Sequence, residues 1–110
     1  MPTNNYKVLA QSSPSATTAT DIYTVGSGKE AVISTITVCN RAATSATYRI
    51  AVRPDGAALA NQHYIAYDAA VPANDTIALT LGITCDASDV ITVYASTANL
   101  SINLFGSEIA

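Results

Sequence analysis

Residues 47–81 read TYRIAVRPDGAALANQHYIAYDAAVPANDTIALTL, and no other stretch constrains the fold as strongly. Tyr48, Ile50 and Val52 alternate with Arg49, Ala51 and Arg53. After the turn formers Pro54-Asp55-Gly56 and Pro72-Ala73-Asn74-Asp75 the alternation resumes with Ile77, Leu79 and Leu81. Successive side chains of an extended strand point to opposite faces, so apolar residues at every second position between turns predict antiparallel strands with one buried face. Carried along the chain, the same reading places strands near residues 6–10, 22–25, 29–40, 47–53, 63–68, 76–81, 90–95 and 99–105. Eight short strands joined by turn residues predict an all-β fold, a two-sheet antiparallel β-sandwich that is immunoglobulin-like or a compact jelly roll. The lack of Trp and of an inward cysteine pair separates it from antibody-type domains.

The 110 residues suit a single domain, with residues 1–5 as a short polar tail. Residues 11–20, QSSPSATTAT, are small, polar and interrupted by Pro14. They suit either a loop crossing one end of the domain or an arm that becomes ordered against a neighbouring subunit. Only 12% of the residues are charged against 49% hydrophobic, a lightly charged exterior that favours coverage by partner molecules and suggests a homo-oligomer. Five basic residues and a net charge of -3 argue against nucleic acid, whose phosphates demand clustered Lys and Arg. No basic-then-apolar leader opens the chain and no apolar run is long enough for a membrane helix, so the expectation is no membrane association and no export by a signal of its own.

The chemistry-bearing residues are sparse. Cys39 and Cys85 read as buried reduced thiols or one cross-strand disulfide, and with the single His63 they do not complete a zinc site. Gly26-Ser27-Gly28-Lys29 has the wrong glycine spacing for a phosphate-binding loop and runs into strand-like AVISTITVC, not a helix. Asp86 and Asp89, with Asn74 or Asp75, leave open a loop calcium site or Asp side chains bonding their own turns. No nucleophile or acid/base pair stands at recognisable spacing, so no enzyme, catalytic residue or cofactor is expected. Arg49 and Arg53 lie two side chains apart on the outward face of their strand, roughly 13 Å, as solvated arginines or as a docking stripe for a partner's carboxylates. A carbohydrate-binding sandwich would present aromatic rings on one face. Alternation puts most tyrosines inward, and Tyr64 and Tyr67 are the residues through which such binding would show.

Val38-Cys39-Asn40-Arg41, Arg53-Pro54, residues 56–64 (GAALANQHY), residues 71–76 (VPANDT) and residues 103–108 (NLFGSE) together resemble small virion structural proteins of tailed phages, cyanobacterial phages especially. The likeness covers nearly all of the chain after Tyr6. It implies a small β-sandwich that decorates or cements the capsid by binding the major capsid protein, or that sits on the tail, baseplate or fibre. The implied setting is the virion, assembled in the host cytoplasm.

Overall fold

Residues 3–110 are described by a computed structural model and form nine strands. These are β1 (Asn4–Ser12), β2 (Thr20–Thr24), β3 (Glu30–Asn40), β4 (Ala46–Arg53), β5 (Tyr64–Val71), β6 (Thr76–Leu79), β7 (Ile83–Cys85), β8 (Val90–Ala95) and β9 (Leu100–Ile109). The ninth strand is β7, three residues inside what the sequence reads as a loop. β6 stops at Leu79, Leu81 is half exposed, and Gly82 at φ +63° turns the chain before β7 starts. β6 and β7 then pair with successive halves of β3, so together they fill one interrupted strand position.

The nine strands pair antiparallel throughout, in two sheets: β1-β9-β3 flanked by β6 and β7, and β2-β8-β4-β5. The partners are nested, β1 with β9, β2 with β8, β3 with β6 and β7, β4 with β5, as if one long hairpin bent between β4 and β5 had been rolled up. That winding is the jelly roll. An immunoglobulin sandwich pairs its first two strands with each other; here, among the described residues, the sole consecutive neighbours are β4 and β5. The all-β sandwich expected from alternation is therefore present, in its jelly-roll form.

The core lies between the sheets and follows the alternating pattern. Ile36 and Val38 of β3, Tyr48 and Ile50 of β4, Ile91 and Val93 of β8, and Leu100, Ile102 and Leu104 of β9 are all buried. Each such aliphatic side chain contributes about 1.5–3 kcal/mol by leaving water. In β3 the buried positions change parity, Ala31 and Ile33 before Ile36 and Val38, because a bulge at Ser34 inserts one residue opposite β9. Gly106 of β9 lies so close to β3 beside this bulge that a Cβ there would collide with the Val32 carbonyl oxygen and stand 3.0 Å from Ile33 Cα.

The ends of the sandwich are closed by specific bonds. Asn40 is buried at the end of β3; its Nδ2 donates to the carbonyls of Thr44 (2.8 Å), Pro72 (3.2 Å) and Val71 (3.3 Å), and its Oδ1 accepts from the Ala42 amide (3.0 Å). Residues 13–19 lie across their own domain: Pro14 is buried, and the Thr17 amide donates to the Ala95 carbonyl at 2.7 Å. Of the polar tail, Met1 and Pro2 lie outside the described residues. The Thr3 amide donates to the Ala110 carbonyl at 2.8 Å, and Asn4 and Asn5 already pair with β9.

Candidate functional site

Arg49 and Arg53 lie on the outer face of the β2-β8-β4-β5 sheet, as alternation requires, yet each holds a carboxylate of its own chain. Arg49 donates from Nε to Asp68 Oδ1 at 2.7 Å and from a terminal nitrogen to Oδ2 at 3.3 Å, a two-pronged contact. Its guanidinium carbon stands 4.2 Å from the ring centroid of Tyr67 and 4.3 Å from that of Tyr94. This is cation–π contact on two rings. The hydrogen bond to Asp68 raises the Arg49 pKa further above its ordinary value. Arg53 reaches Asp21 Oδ2 at 3.5 Å, and Asp21 Oδ1 accepts from the Thr92 hydroxyl at 2.7 Å. Arg53 Nε is buried with no hydrogen-bond partner among the described residues.

The Arg49 clamp depends on irregularities in β5 that strict alternation hides. Ala51 pairs with Tyr64, Ile50 with Ala66, and Tyr48 with Ala69, so β5 carries an extra residue at Ile65 and another at Tyr67-Asp68. The second bulge is made by Asp68 at φ +51°, a left-handed conformation that Asp tolerates better than most side chains. Two consecutive residues, Tyr67 and Asp68, thereby reach the outer side and close on Arg49. Tyr64 meets Tyr67 edge-to-face, with centroids 4.9 Å apart at 86°. The expectation that most tyrosines face inward is corrected here. Tyr48 is buried in the core and Tyr23 is partly buried against it, while Tyr6 and Tyr67 are exposed and Tyr64 and Tyr94 are part-exposed on the outer face.

The other sheet has an apolar outer face. Tyr6 and Val8 of β1, Val32 and Ser34 of β3, and Phe105 and Gly106 of β9 line an open groove of about 720 Å³. Tyr6 is 81% exposed and Val8 47%, in an edge strand that no other strand covers. At the rim, Lys7 Nζ contacts Glu108 Oε1 at 2.7 Å, and the Tyr23 hydroxyl, from the opposite sheet, donates to Glu108 Oε2 at 2.6 Å. The Lys7 contact, then the Tyr23 bond, hold the Glu108 carboxyl below its usual pKa, while burial and the carboxylate push the Tyr23 hydroxyl well above its own. This triad ties β1, β9 and β2 together at the seam between the sheets. Sequence spacing gave no signal for it, because the three residues come from opposite ends of the chain.

The remaining candidates have local partners. His63 accepts the Ala60 amide on Nδ1 at 3.0 Å, which fixes residues 60–63. Asp89 accepts the amides of Asp55 (3.0 Å) and Asp86 (2.9 Å), Asp86 accepts that of Ala87 (2.8 Å), and Asp75 accepts that of Thr76 (2.8 Å). Among the described residues no three His, Cys, Asp or Glu side chains converge as a metal site. Cys39 and Cys85 are both free thiols. Cys85 pairs with Ala31, eight residues along β3 from Cys39, a separation of roughly 26 Å in an extended strand. Burial raises the Cys85 thiol pKa to about 11. Lys29 ends a Gly26–Lys29 turn that leads into β3.

No protein-family model matches the chain, and no curated protein or solved structure matches it.

Proposed function

We propose that this chain is a non-enzymatic structural protein of a phage virion, a decoration or cement protein that seats on the outside of the major capsid shell. The observation that carries this reading is the apolar groove on the outer face of β1, β9 and β3. Along it Tyr6 and Val8, 81% and 47% exposed on an edge strand, leave large apolar side chains in water that a partner contact would cover. Copies held by closed symmetry across capsid junctions would each add modest binding free energy to the shell. Jelly rolls recur in capsids as well as in lectins, so the fold is compatible with the role without specifying it. The resemblance of residues 38–41, 56–64, 71–76 and 103–108 to tailed-phage virion proteins points the same way.

The test is binding of the purified protein to expanded capsids, with Val8→Arg as the probe of the groove. Val8 is half exposed, so a charge there leaves folding intact and disrupts an apolar contact. Saturable binding to capsids, weakened about tenfold or more by Val8→Arg, is expected. Binding to tails and not to capsids would move the protein to the tail or baseplate.

A further inference from the structure

We infer that the outer face of the β2-β8-β4-β5 sheet carries a small-molecule site that takes one pyranose ring of a glycan. The cross-strand row Asp21, Thr92, Ala51, Tyr64 runs over this face. Its small member, Ala51, forms the floor of a depression of about 250 Å³ whose walls are Arg49, Leu59, Tyr64, Thr92 and Tyr94. That volume lies just under the ~300 Å³ at which pockets for drug-sized ligands begin, which leaves room for a single ring. The site stands on the opposite side of the sandwich from the apolar groove and does not depend on that groove meeting a capsid.

The walls select the ligand. Tyr64 and Tyr94 offer aromatic surface, whose negative face attracts the polarised C–H groups on the apolar side of a pyranose. Thr92 and Arg49 line the same pocket: the Thr92 hydroxyl, whose proton goes to Asp21, is left as an acceptor for a sugar hydroxyl, and Arg49 keeps as donors the N–H groups that Asp68 does not use. Arg49 is immobilised by two rings and a carboxylate, so it loses little freedom when a ligand arrives. A free anion would have to compete with Asp68 for Arg49, and a free cation would find the carboxylates of Asp68 and Asp21 already paired with Arg49 and Arg53. A wholly aliphatic ligand would leave the polar groups without partners. A neutral polyhydroxylated ring meets none of these penalties. The left-handed Asp68 and the double bulge of β5 support the same conclusion. An exposed ion pair adds little stability, whereas strained residues and bulges gather where side chains must be aimed at a ligand.

The experiment is saturation-transfer NMR with titration calorimetry on the full chain. The probes are the methyl glycosides of glucose, galactose, mannose and N-acetylglucosamine, with adenosine and citrate alongside. At least one methyl pyranoside is expected to bind saturably in the millimolar range, with transfer strongest on its ring protons. Tyr94→Ala and the near-isosteric Thr92→Val are each expected to weaken it about tenfold, and Val8→Arg on the other face to leave it unchanged. Thr92→Val keeps the side-chain volume but removes the bond to Asp21, so the melting temperature of each variant is measured alongside, and weakened binding counts only in a variant that stays folded. The inference fails if no pyranoside saturates, if neither variant weakens binding, or if adenosine or citrate binds more tightly than every sugar.

Discussion

Gly106 and Glu108, two residues apart on β9, show how single side chains hold this sandwich. At Gly106 the obstacle to substitution is neighbouring backbone, which cannot rotate away. Gly106→Ala is therefore expected to cost upwards of about 3 kcal/mol, at the high end for point changes, in a denaturant unfolding curve. Glu108 acts through charge. Its folded pKa lies below the unfolded value, so its contribution to stability is present above about pH 4–5, the ordinary glutamate range, and is lost as pH falls through the folded pKa. Wild type should melt higher than Glu108→Gln near neutral pH, and the gap should close on acidification as the wild-type carboxyl protonates. A gap that stays constant down to pH ~3 would mean the Lys7 and Tyr23 contacts carry no charge-linked stability.

At the scale of elements, Asn40 joins β3 to two loops through four bonds. Asn40→Ala would leave the Ala42 amide and the Thr44 and Pro72 carbonyls short of partners, at a cost of about 2–4 kcal/mol. Because Cys39 lies near the end of β3 while Cys85, on β7, pairs with Ala31 near its start, added reductant should leave the melting temperature unchanged, and Cys85 should resist thiol reagents until the protein unfolds. Strands β4, β8 and the first half of β9 were legible in the sequence, because Tyr48, Ile50, Ile91, Val93, Leu100, Ile102 and Leu104 keep the period of two. The bulges were not. An extra residue such as Ser34 or Asp68 is set by the opposing strand, and no local pattern announces it. In a regular β5, Tyr64 and Tyr67 would point to opposite faces, so simple alternation hid the Arg49 clamp. β7 escaped because three residues between Gly82 and Asp86 are too few to show any period.

The whole molecule measures 48 × 28 × 20 Å and presents two unlike faces. One sheet carries the apolar groove around Tyr6, Val8 and Phe105; the other carries tyrosines and paired charges around Arg49. The nesting that creates these faces was only half legible: alternation specified a sandwich, but the order of strands depends on pairings between residues as distant as Tyr6 and Ser107. Under the proposed decoration role, one face would meet the capsid lattice and the other the exterior. The most direct measurement is the copy number per virion, by quantitative mass spectrometry against the major capsid protein. Hundreds of copies, near one per capsid subunit or one trimer per local threefold, are the expected result. A few copies, or none, would contradict a role in decorating the shell.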